Sequence, residues 1–126
     1  MKKSIINTFI TTAFIASLGL SATGAMAGPD SMQLDLMRKV HASQEKLKQA
    51  QAAKGAEQQK LMGEHMQMLH VDMKACREMK PKAGMTESER DAWFTEHQKI
   101  MDDMMSQMME EHKVKTASMP CDAVKK

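Results

Sequence analysis

Between Glu96 and His112 the chain reads EHQKIMDDMMSQMMEEH, with five methionines and two histidines in seventeen residues and Ile100 as the one conventional aliphatic. On a helix of 3.6 residues per turn, His97, Met101, Met104, Met108 and His112 follow at steps of four, three, four and four and so share one face, which Met105 and Met109 widen. A strand would need alternation with a period of two, and nothing after residue 27 shows it. The stretch therefore demands a helix, and one with an unusual face. Leu, Ile and Val would specify a packed seam better than the flexible thioether of methionine, so the replacement calls for a chemical reason.

Methionine also decides whether this chain can fold at all. Lys2 and Lys3, the apolar run from Ile5 to Leu20 and the Ala25-Met26-Ala27 triplet have the form of a cleaved export signal covering residues 1–27. Thr11, Thr12, Ser17 and Ser21 dilute a run already short of the ~20 residues that span a bilayer, so stable membrane insertion after cleavage is not expected. The remaining 99 residues, 28–126, hold eleven Leu, Ile, Val and Phe but fourteen of the sixteen methionines, the one group numerous enough to build an apolar face. A small single domain with a thin core is expected, one that a bound ligand would stabilise substantially. Without Lys2 and Lys3 the 18 basic residues become 16 against 16 acidic ones, a balance that gives no support for nucleic-acid binding.

Three helices are expected, at about 31–54, 57–80 and 87–113, with a flexible tail over 114–126. Asp30 or Ser31 can cap the first, whose sparse stripe is Leu36 or Met37, Val40 and Leu47; from Gln44 to Lys60 little is available to bury. In the second, Met62, Met66, Leu69, Met73 and Cys76 form a heptad-like seam, flanked by His65 and Met68 on one side and His70 on the other. Pro81 and Gly84 mark a turn, and Thr86-Glu87-Ser88-Glu89 is a capping box that opens the third helix. The fold class expected is all-α: an antiparallel hairpin of the second and third helices, with the first either packed across it as a small three-helix bundle or running on into the second as a rod.

Neutral thioether sulfur prefers soft monovalent ions, Cu(I) and Ag(I), and imidazole adds the borderline ligand that Cu(II) prefers. The candidate metal ligands are Met62, His65, Met66, Met68 and Met73 on the second helix and His97, Met101, Met104, Met105, Met108, Met109 and His112 on the third. His70 and His41 rank below them. The competing reading is that these methionines pack a core, or form a greasy surface for other proteins. No arrangement of nucleophile, base and orienting residue recurs, so a non-enzymatic binding protein is expected.

On MGEHMQMLHVDM at 62–73 and MDDMMSQMMEEH at 101–112, the chain resembles the small Met/His-rich periplasmic copper- and silver-binding proteins of bacterial metal resistance. The resemblance implies sequestration or delivery of copper or silver outside the cytoplasm, with an efflux or chaperone protein as partner. MTESERDAWFTEHQKIM at 85–101 is similar to the Leu-Thr-x-x-Gln helix start of Spy/CpxP-type periplasmic proteins, with Met85 and Glu89 as departures. That likeness implies an ATP-independent chaperone or a stress or metal sensor, working as a homodimer.

Cys76 and Cys121 are the two cysteines. In an exported chain a disulfide between them is expected. Helix geometry makes it conditional: the third helix would have to end about a turn early, near Met109, for the tail to fold back to Cys76. The alternatives are a metal-catching tail with Met119 and Cys121, or a bond linking two chains.

Overall fold

The computed structural model describes residues 28–119, which form three helices, α1 (Ser31–Ala52), α2 (Gly55–Glu78) and α3 (Glu87–Ser118), with no strand among them. The expected export signal and Cys121 lie outside the described residues. Each helix begins where the sequence supplies a reason. The Asp30 carboxylate accepts the Gln33 N–H at 2.9 Å while the Gln33 side chain accepts the Asp30 N–H, and Thr86 and Glu89 repeat that reciprocal cap at the start of α3. Between α1 and α2 the chain turns through Ala53 and Lys54 into Gly55 at φ 60, a left-handed conformation that costs glycine little. Gly55 thus breaks the first long helical stretch, and the rod is not formed. α1 and α3 run one way and α2 the other, as an up-down-up bundle.

The helix limits differ from the expected ones by two residues at α1 and α2, and by more at the end of α3. There the helix runs through Val114, which packs on Leu47, Ala50 and Met62, and Lys115, which pairs with Glu111 one turn back. These contacts hold α3 together to Ser118. The early ending of α3 on which the Cys76–Cys121 pairing depended is therefore not observed.

Each helix turns one stripe inward at steps of three and four residues: Gln33, Leu36, Val40, Ser43, Leu47 and Ala50 from α1, then Met62, His65, Leu69, Asp72 and Cys76 from α2. α3 contributes Trp93, Ile100, Met104, Gln107 and Glu111. The expected α2 seam is thus rotated: Met62, Leu69 and Cys76 are buried, but His65 and Asp72 stand inside where Met66 and Met73 were expected. Met66 is exposed and Met73 half-buried. Leu47 is buried as its place in the α1 stripe requires, whereas Ala50 is buried within the stretch of α1 expected to be mostly solvated.

The reason for the rotation is a polar layer that closes on itself. His65 Nδ1 lies 3.0 Å from Glu111 Oε2 and Nε2 lies 3.2 Å from Gln107 Oε1; Gln107 Nε2 donates to the Val40 carbonyl, and the Ser43 hydroxyl lies within hydrogen-bonding distance of both that carbonyl and Gln107 Oε1. Both ring nitrogens of His65 thus face oxygen atoms of α3, and the single Ser43 hydroxyl proton serves the Val40 carbonyl or Gln107 Oε1 in turn. This layer separates an upper apolar cluster around Leu36, Leu69, Trp93 and Met104 from a lower one around Leu47, Ala50 and Met62. Buried polar groups joined in this way reward one register of the three helices and penalise the others.

Candidate metal-binding surface

The grooves between helices identify which side of each seam faces which neighbour. Asp103, Ser106, Gln107 and Glu110 of α3 line a groove with α1, and Glu64, Gln67, Met68, Val71 and Asp72 of α2 line another with α1. The opposite side of each seam therefore borders the α2–α3 cleft. On helical spacing those sides carry Met66, His70 and Met73 from α2, and His97, Met101, Met105, Met108 and His112 from α3. His65 at the level of Gln107 and Glu111, and Cys76 at the level of His97, set the antiparallel register.

The twelve proposed ligands consequently divide. Met62 and Met104 are core residues, with Met104 only 2% exposed. His65 is wholly buried and both its nitrogens are engaged within the polar layer. Met68 is half-buried in the α1–α2 groove, apart from the α3 methionines. Met66, Met101, Met105, Met108 and Met109 are exposed, the last at 62%, and His112 is exposed beside them. Met105, Met108, Met109 and His112 converge on one shallow depression that Lys113 completes. Four soft or borderline donors are thereby presented to solvent within two turns of one helix. Such a set can exchange water for a soft cation without unfolding the bundle.

At the upper end of the cleft the surroundings change. His97 is half-buried and stacks on Trp93, with ring centroids 4.8 Å apart and planes 14° apart, while Phe94 meets the indole edge-on at 5.2 Å. The indole N–H donates to Asp30 Oδ2 at 2.9 Å, and Gln33 Nε2 donates to the Trp93 carbonyl. Burial pushes the Asp30 carboxyl up, but the Gln33 and Met32 N–H groups, the indole and Lys82 together more than offset it, leaving the carboxyl below its ordinary range. Trp93 is therefore fixed by the cap of α1, and His97 lies against its face. Across the cleft Cys76 Sγ lies 3.6 Å from His97 Nε2 and 3.8 Å from Nδ1, and burial pushes its thiol pKa up.

Asp72 is the exception to the satisfied interior. It is 3% exposed, its Oδ2 is without a hydrogen-bond partner among the described residues, and burial raises its pKa against a weaker pull from Lys39. Sequence reasoning missed Asp72, Gln107, Glu111 and Ser43 as interior residues. The signal was present: steps of three and four from Met62 through His65, Leu69, Asp72 and Cys76 to Met79 match a seam better than the methionine series once polar residues are admitted to it. No family model matches the chain, and no curated protein or solved structure matches it.

Proposed function

We propose that the chain is an exported, non-enzymatic protein that binds Cu(I) or Ag(I) on the outer methionine ridge of α3 and sequesters or delivers the ion in metal resistance or homeostasis. The observation that carries the reading is the exposure of Met101, Met105, Met108 and Met109 beside the half-buried or buried methionines of the same bundle. A methionine kept for packing gains nothing by facing water, whereas a thioether offered to a soft cation must be reachable. Cu(II) would be taken at the histidine-bearing edge, at His112. Residues 1–27 would direct the protein to the periplasm, where such ions are met.

Replacing Met105, Met108 and Met109 together by Leu tests the ridge. Titration of Cu(I) under reducing conditions should show binding tighter than about micromolar in the original protein, and a capacity lower by at least one ion in the variant, with helix content unchanged. No binding tighter than micromolar in the original protein would end the proposal. A second reading draws on Phe94, half-exposed at the head of the same stripe: the ridge is then an apolar surface for unfolded clients. It requires the metal-free protein to suppress aggregation of an unfolded protein, and the leucine variant to do so equally well.

A further inference from the structure

Asp72 is a cost to the fold that packing does not explain. Its side chain is buried and its Oδ2 lacks a hydrogen-bond partner among the described residues, so an apolar residue at the same seam position would serve stability better. Its surroundings show what else it can serve. Met68, Val71 and Asp72 lie three and four residues apart on the flank of α2 that faces α1, and with Lys39, Ala42 and Lys46 of α1 they line a groove of about 520 Å³. That is the size of a site for a small organic molecule rather than for a bare ion. The charges at its rim are already matched: Lys46 Nζ meets Glu64 Oε2 at 2.9 Å across the two helices, and Lys39 Nζ meets Asp35 Oδ2 at 2.8 Å. Lys39 also acts on Asp72 through space, but its ammonium is engaged by Asp35. Two lysines against three carboxylates leave one negative charge in excess, and the carboxylate left over is the most buried of the three.

We propose that the α1–α2 groove binds a small aliphatic primary amine, with its ammonium on the Asp72 carboxylate and its hydrocarbon chain along Met68, Val71 and Ala42. An ammonium supplies both things that Asp72 lacks, an N–H donor and a positive charge. A neutral alcohol supplies only the donor, and an anion sets like charge against the carboxylate. The length fits as well. Glu64 and Asp72 are eight residues apart, about 12 Å along α2, so a chain of about six carbons runs from Asp72 toward the Lys46–Glu64 bridge without reaching it. The inference is independent of the soft-metal reading, since neither the α3 ridge nor a histidine takes part.

The probe is n-hexylammonium at neutral pH, where the amine stays protonated, titrated into the full chain and followed through backbone amide signals by NMR. Its neutral and anionic counterparts, n-hexanol and hexanoate, are titrated in parallel. Shifts from the ammonium should gather on residues 39–46 and 64–72, with a Kd of about 1 mM or tighter. Asp72→Asn keeps the shape and removes the charge, and should weaken binding by about tenfold or more. Lys39→Met, which removes a competing cation from the rim, should tighten it. Hexanol should bind the original protein at least about tenfold more weakly than the ammonium does, a comparison that needs no substitution, and hexanoate should not bind. Equal affinity for hexanol and the ammonium would overturn the proposal and reduce the groove to an apolar slot. Unchanged affinity in a folded Asp72→Asn variant, or shifts gathered on another face, would overturn it too, and Cu(I) titration of the ridge would stand or fall separately.

Discussion

Two stripes of α3 run side by side, displaced by a single residue. Trp93, Ile100, Met104, Gln107 and Glu111 face inward, and each is followed by an exposed neighbour: Phe94, Met101, Met105, Met108 and His112. In the lower half of the helix the inner stripe is the more polar of the two. Burial here follows partners rather than hydropathy: Glu111 is matched by His65 and Lys115, and Gln107 by Ser43 and the Val40 carbonyl. The outer methionines have no comparable packing among the described residues, and the proposed soft-metal role rests on that asymmetry.

The most severe way to break the comparison is Glu111→Ala, which leaves His65 buried without its carboxylate. A loss of about 3–5 kcal/mol is expected, measured by urea denaturation and large enough to unfold a domain of this size. His65→Leu with Glu111→Leu should recover most of it; a single-variant loss below about 1 kcal/mol would show that the polar layer is slack. Next, Met104→Ala and Met105→Ala set the two stripes against each other directly. The inner change should cost about 2–5 kcal/mol through its cavity, the outer one no more than about 0.5 kcal/mol. Equal costs would mean that Met105 packs as well.

Asp72 sharpens the principle from the opposite side, since it is buried without a full set of partners. Asp72→Leu should raise stability by about 1–3 kcal/mol at neutral pH. Its folded pKa lies above the ordinary 3.8, so the folded chain keeps this proton longer than the unfolded one. Asp72 therefore withdraws stability as pH rises from about 4 through the folded pKa. The gain from Asp72→Leu should accordingly be small in acid and full at neutral pH, and denaturation curves at several pH values would show a pH-independent gain if desolvation of the charge is not the cause. The smallest expected effect is on the ridge itself: Met105→Leu, Met108→Leu and Met109→Leu should each move stability by less than about 0.5 kcal/mol. A larger shift in thermal unfolding without metal would assign those side chains to packing.

Much of the architecture was legible along the chain. Asp30, Thr86 with Glu89, Gly55, Pro81 and Gly84 are local instructions whose physics needs no distant partner, and they delimit three helices correctly to within two residues at all but one end. The extra length of α3 depended on Val114 reaching Leu47 and Met62, a contact between positions far apart in sequence. The methionine face was legible as a helical stripe, but its orientation was not. Helical spacing sets the angles between residues on one helix and leaves open which sector turns inward. That choice was made by groups on other helices: His65 finds Glu111 and Gln107, and Ser43 finds Gln107, so polar residues took the seam and displaced Met66, Met101 and Met108 outward. Cys76 and His97 likewise meet only where α2 and α3 bring them to 3.6 Å. Sequence determined which atoms this protein can offer to a soft metal; tertiary packing decided which of them face solvent, because a hydrogen bond between helices exists only once both helices are in place.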